Sequence, residues 1–170
     1  MSEVPTGVKM DSVSRKIRPS ATMMITRDGS NGVEVLLGRR ADSMPAFPGY
    51  WAFPGGGLSR VDKLAVEELE QLDGPNAAAF AAIMREIVEE LGFACVDGKI
   101  MVVDDAARSL VVADKANWLP QVKQGNIPCD TSGIRHISSR TTPPFGPVLF
   151  ENTFLHIHGG SSQEVPQPSI

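Results

Sequence analysis

The stretch REIVEELGF, Arg85 to Phe93, sets one arginine and three glutamates within six residues and closes on Leu-Gly-Phe. The segment that leads into it, NAAAFAAIMREIVEELG, carries Phe80, Ile83, Ile87 and Leu91 at helical spacing, which predicts a helix with one apolar stripe. Asn76 stands at the N-cap and Gly92 acts as the C-terminal stop. On that helix Glu86, Glu89 and Glu90 fall at i, i+3 and i+4, so the three carboxylates share a face beside the apolar stripe. Like charges so placed cost about 0.2–0.5 kcal/mol per pair, and the helix dipole disfavours them at this end. Arg85, at i to Glu89, recovers part of that. A hard divalent cation would remove the conflict, since carboxylate oxygens are the ligands it selects. Taken alone, the turn reads as plainly as a solvated acidic face.

A second signal precedes the helix. Three consecutive glycines in FPGGGL, Phe53 to Leu58, permit unusual backbone angles and close approach to other groups. Such a loop can turn backbone N–H groups toward an anion. It is not a P-loop, because no Lys-Ser or Lys-Thr follows at the required spacing.

Together the two segments resemble the signature of the Nudix hydrolases, G-x5-E-x7-R-E-U-x-E-E-x-G-U, where U is a bulky apolar residue. Arg85, Glu86, Ile87, Glu89, Glu90, Gly92 and Phe93 match its second half. Its first half is present as the glycines of FPGG, Phe53 to Gly56. The spacing departs from the pattern: Arg85 follows Gly56 by 29 positions rather than fourteen, an insertion of about fifteen residues. The amphipathic run from Val61 to Leu72 is assigned to this insertion, about residues 59–75. Counted back from Arg85, the earlier glutamate of the signature falls on Ala77 and is missing. The lead-in LLGRRADSMPAFPGYWAFPGG and the later TTPPFGPVLFENTFL are similar to a narrower subgroup, the coenzyme A diphosphatase-like proteins. The arginine that the subgroup places before the first strand phenylalanine is replaced here by Leu149.

The resemblance implies an α+β domain, a Nudix-type α/β/α sandwich with a mixed central sheet. It implies Mg²⁺ or Mn²⁺ held by Glu86, Glu89, Glu90 and the backbone at Gly56. Arg85 orients the glutamates, and Glu89 and Glu90 join it as the catalytic set. The general base is left unassigned, with Glu151 a further candidate. The implied reaction is hydrolysis of a diphosphate in a small nucleotide compound, coenzyme A first, with ADP-ribose, a dinucleoside polyphosphate, or a non-catalytic nucleotide-binding role as alternatives. Arg39 and Arg40 end a strand, where alternation turns at most one of them toward a substrate. Trp51 and Phe53 are candidates for packing a base or a pantetheine arm, with burial in the core as the competing reading.

Elsewhere SATMMITRDG and GVEVLLGRRA read as an antiparallel hairpin through DGSNG. Tyr50 to Phe53 reads as a short strand, FACVDGKIMVV as a broken strand or hairpin, residues 104–125 as helical pieces, and Val148 to His158 as a strand. His156 and His158 share a strand face, but two histidines without a third ligand make a poor metal site. The expected organisation is a flexible segment 1–18, the Nudix domain 19–160, and a linker-like tail 161–170. The family's final strand and helix are not visible, so the chain is either an N-terminal piece or an abbreviated domain; an uncovered sheet would favour a homodimer.

Composition sets the outer bounds. The chain has 170 residues, 42% hydrophobic and 21% charged, enough for one domain with its own core. A net charge of −4 gives no broad attraction to duplex nucleic acid or an anionic membrane. Cys95 and Cys129 form no CxxC pair and read as free thiols. With no signal-peptide core and no long apolar run, the expected location is the cytoplasm.

Overall fold

The computed structural model describes residues 16–43, 48–143 and 149–161. Two twelve-residue strands, β1 (Arg18–Gly29) and β9 (Phe150–Ser161), run parallel through the middle of a mixed sheet. Side chains alternate across each strand. Ala21, Met23 and Ile25 of β1 are buried on one face, with Leu155 and Ile157 of β9 beside them. β2 (Gly32–Val35) turns back antiparallel on the end of β1, as the Asp28-Gly29 signal predicts. β8 (Arg135–Thr141) pairs antiparallel with β9, giving the order β2-β1-β9-β8. The sequence offered no sign of β8: its residues are nearly all exposed and polar, so no apolar alternation marks it.

The triple glycine, read as a loop, is itself a strand. β5 (Gly55–Gly57) pairs antiparallel with Ser20–Thr22 at the start of β1. Two small ribbons lie off the sheet: β3 (Gly38–Arg39) with β4 (Trp51–Ala52), and β6 (Phe93–Val96) with β7 (Lys99–Val102). The second ribbon turns through Asp97-Gly98, as expected.

Four α-helices complete the described chain: α1 (Arg60–Glu68), α2 (Ala77–Leu91), α3 (Asp105–Ala113) and α4 (Trp118–Lys123). The inserted helix is shorter than its apolar run. It ends at Glu68, while Leu69 and Leu72 are buried from extended or turn backbone beyond it. α2 packs on the apolar sheet face, with Ile83, Met84, Ile87 and Val88 at most 1% exposed. Asn76 holds the N-cap position without a side-chain hydrogen bond; Gly92 closes the helix at φ 70°, ψ 29°, the left-handed geometry that favours glycine. Phe93, Val111 and Trp118 join the same core from β6, α3 and α4.

The expected N-terminal segment is described only from residue 16, and most of the expected tail, 162–170, lies outside the described residues. So do residues 44–47 of the lead-in and 144–148 of the proline-rich stretch, including the expected strand start at Val148; β9 begins at Phe150.

Candidate active site

The pairing of β5 with β1 carries the glycines against the C-terminal half of α2. Gly55 N donates to Glu90 Oε2 at 3.1 Å. At Gly56 an added Cβ would overlap Glu86 Oε1, so the glutamate occupies space that any larger residue would take. The glycine strand and the acidic turn therefore fit one another at atomic contact.

Arg85 organises the other side of the turn. It is 1% exposed, a costly position for a cation without partners. Its Nη1 lies 2.9 Å from Glu89 and its Nη2 3.0 Å from Glu86. Its main partner comes from α1: Arg85 Nε and Nη2 donate to the two oxygens of Asp62 at 2.8 and 3.2 Å. Asp62 is fully buried in the first turn of α1, where it also accepts from the backbone N and hydroxyl of Ser59 at 2.6 and 2.8 Å. Burial works against the Arg85 charge, but these hydrogen bonds and the surrounding carboxylates override it and keep the guanidinium protonated.

Asp62 corrects the sequence reading. Counted back from Arg85, the early acidic residue of the signature falls at Ala77. The structure places Ala77 in the first turn of α2 and gives Arg85 an acidic partner at Asp62. Asp62 lies six positions after Gly56, the spacing of G-x5-E, with aspartate in place of glutamate. The extra residues thus follow the first acidic position rather than precede it. Counting forward from the glycine would have found it. A second residue had no sequence signal: Arg108 of α3 donates to the Glu89 and Glu90 carbonyls at 3.3 Å each, capping the end of α2.

The carboxylates carry the strain of their crowding. Burial pushes Glu86 upward against the pull of Arg85, and Glu89 adds to the rise. Desolvation by the surrounding protein pushes Glu90 up to about 7; Glu86 and Glu89 add to this, while the Gly55 N–H and the Arg40 charge oppose it. Glu90 retains an exposed edge toward solvent beside its bond from Gly55.

Of the paired arginines, Arg40 is the one whose charge reaches the acidic turn. Arg39 is exposed and paired with Asp42 at 3.0 Å. Trp51 and Phe53 do not enter the core: they are 66% and 36% exposed, and Tyr50 is 65% exposed beside them. Trp51 stands opposite Arg39 in the β3–β4 ribbon. Glu151 is exposed on β9. His156 and His158 both lie against Thr26 Oγ1, at 2.8 and 3.0 Å, on the sheet face away from α2. Cys95 and Cys129 are free, and burial first, then the Asp130 charge, pushes both thiols up to about 12.

No three His, Cys, Asp or Glu side chains among the described residues converge as a metal cluster. The donor set nevertheless suits a hard divalent cation. Glu86 and Glu90 face the glycine strand, with Glu86 lying over Gly56 and Glu90 on the Gly55 N–H, and burial first, with neighbouring carboxylates adding to it, raises the proton affinity of both. Glu89 is turned toward Arg85.

The fold is that of the Nudix hydrolases. A crystal structure of a Nudix hydrolase from Alicyclobacillus acidocaldarius superimposes with a TM-score of 0.78 at 25% identity, covering 93% of this chain and 75% of that one. A MutT/nudix family protein from Enterococcus faecalis aligns at TM-score 0.44 and 17% identity, over 92% of this chain and 39% of that one. The Nudix domain of Shewanella oneidensis NrtR, crystallised with ADP ribose, aligns at TM-score 0.48 and 13% identity, over 92% and 71%. No protein-family model matches the sequence, and no curated protein matches it significantly. No described helix is long and apolar enough to cross a membrane.

Proposed function

We propose that the chain is a metal-dependent hydrolase that cleaves the diphosphate of a nucleoside-diphosphate-linked compound in the cytoplasm. The observation that carries this reading is the fit of Glu86 over Gly56 and Glu90 on Gly55, in a Nudix fold, with Glu89 and Arg85 completing the turn. Glu86, Glu90 and the Gly56 backbone would hold Mg²⁺ or Mn²⁺, with Glu89 available from its pair with Arg85. A bound divalent cation supplies charge neutralisation at the phosphates and a more acidic bound water.

The protein groups do the rest. Arg85, locked by Asp62, fixes the rotamers of Glu86 and Glu89. Arg40 contributes positive charge on the side where an anionic substrate meets the acidic turn. The exposed Trp51, opposite Arg39 in the β3–β4 ribbon and followed by Phe53, offers an aromatic surface to a base or pantetheine arm. The general base is one of the turn glutamates, with Glu151 as the alternative.

Within this class the preferred substrate is coenzyme A or an acyl derivative, giving 3′,5′-ADP and 4′-phosphopantetheine, a choice that rests on the lead-in and TTPPF resemblance. ADP-ribose or a dinucleoside polyphosphate is the second reading. A homodimer through the exposed β2 edge, where Val33 and Val35 are 66% and 49% exposed, belongs to the same proposal. Product analysis after incubation with coenzyme A or ADP-ribose and Mg²⁺ separates the substrates; absence of 3′,5′-ADP rejects coenzyme A. Glu89→Gln is expected to abolish hydrolysis of the preferred compound, and unaltered turnover in that variant rejects the site. Loss of turnover with every compound, alongside retained nucleotide binding, would favour a non-catalytic nucleotide-binding module.

A further inference from the structure

His156 and His158 stand two residues apart on β9, so their rings project from one face of the sheet, away from α2. Parallel pairing sets Thr26 of β1 directly opposite His158 and Met24 opposite His156. One ring nitrogen of each histidine thereby converges on a single atom: His156 Nε2 lies 2.8 Å and His158 Nδ1 3.0 Å from Thr26 Oγ1. Just beyond, the register shifts, because β9 has two residues, Gly159 and Gly160, where β1 has one, Arg27. Gly160 sits at φ 79°, the left-handed geometry of a bulge glycine. Past this bulge Asp28 Oδ2 lies 3.4 Å from the other nitrogen of His158, Nε2.

The proton count on these atoms is restrictive. A threonine hydroxyl carries one proton, so it donates to one of the two nitrogens and not both. Asp28 favours a proton on His158 Nε2, which leaves Nδ1 as a lone pair facing Thr26. A carboxylate behind an imidazole is the usual support of a metal-ligating histidine, since it fixes ring and tautomer. His156 presents Nε2 to the same point. Burial first, then His158 and Arg135, lowers its proton affinity, which favours the neutral ring that a metal ion requires. His158 is exposed, so water reaches the remaining coordination positions. The donors are imidazole nitrogens and a hydroxyl, and Arg135 pairs across from His156, a setting that suits a borderline transition ion better than Mg²⁺.

We propose that His156, His158 and Thr26 form a metal site on the outer face of the sheet, separate from the acidic turn, that takes a borderline divalent ion such as Zn²⁺ or Ni²⁺. His156 Nε2 and His158 Nδ1 hold the ion, Thr26 Oγ1 is the oxygen neighbour, and the His156 proton moves to Nδ1. Asp28 acts as a positioning residue through His158. The bound ion ties β1 to β9 at the bulged end of their pairing. The site stands whether or not the acidic turn is hydrolytic.

Calorimetric titration of Zn²⁺ into the untagged full chain, with Mg²⁺ in excess, tests this, with imidazole nitrogen NMR shifts recorded on the same samples. In the wild-type chain His156 Nε2 and His158 Nδ1 are expected to shift together on binding. His158→Gln, at an exposed position, and His156→Gln, with its fold checked by urea midpoint, are each expected to weaken Zn²⁺ binding by more than about tenfold, and Asp28→Asn by about tenfold with both nitrogens still shifting. Glu86→Gln, on the other side of the sheet, is expected to change this binding less than about twofold. Equal Zn²⁺ affinity in wild type and His158→Gln overturns the proposal. So does loss of the binding in Glu86→Gln, or a shift confined to one of the two histidines.

Discussion

At Arg85 a single side chain ties together two carboxylates of the acidic turn and a third from a separate helix. Removing Asp62 strands a cation that is 1% exposed. Asp62→Ala is therefore expected to lower unfolding free energy by about 3–5 kcal/mol, the usual cost of breaking one side of a buried pair, as read from urea denaturation. A loss below about 1 kcal/mol would show that Glu86 and Glu89 suffice to hold the guanidinium. Gly56→Ala acts differently. Its methyl group meets Glu86 rather than the core, so the variant is expected to fold but lose about 10²-fold in turnover through displacement of one carboxylate. The acidic turn itself was legible from residue type and spacing, because i, i+3 and i+4 positions share a helix face whatever surrounds them. Asp62 is not, because the extra residues separate it from Arg85, and its signature spacing is kept only to Gly56.

Legibility at the level of elements followed the same logic. β1, β2, α2 and the β6–β7 ribbon announce themselves through alternation, helical spacing and Asp-Gly turns. β8 is an edge strand with solvent on most of its residues, and β5 has no side chains to pattern, so both form only because β9 and β1 present partners. The pairing of β1 with β9 also creates a titrating contact. His156 lies against Thr26, beside His158 and across from Arg135. Burial first, then those two positive neighbours, lowers its proton affinity below the usual histidine value of 6.5. The unfolded chain then binds more protons than the folded one near that pH, so stability is expected to fall as pH drops through about 6.5. Urea midpoints between pH 7.5 and 5.5 should decline in the wild-type chain and decline less in His156→Gln. Equal slopes would assign the trend to other groups.

Across the whole molecule, the proposed cation site at the acidic turn would make folding responsive to a divalent ion. Any ion that binds the folded chain alone stabilises it, by about 2.7 kcal/mol at a hundredfold excess over its dissociation constant. Mg²⁺ is expected to raise the melting temperature of the wild-type chain, and a chelator to reverse the rise. Glu86→Gln should reduce the response; an equal rise in that variant would place the ion elsewhere. The Asp62–Arg85 pair has a consequence of another kind. It ties α1 to α2 across the connection between them, so the length of the exposed Asp73–Pro75 link is uncoupled from the geometry of the acidic turn. A backbone nick in the Asp73–Pro75 connection would leave Asp62 and Arg85 on separate polypeptides that still meet. The fold thus contains a natural seam at which the chain can be divided, and complementation between two co-expressed fragments becomes a practical way to rebuild the molecule.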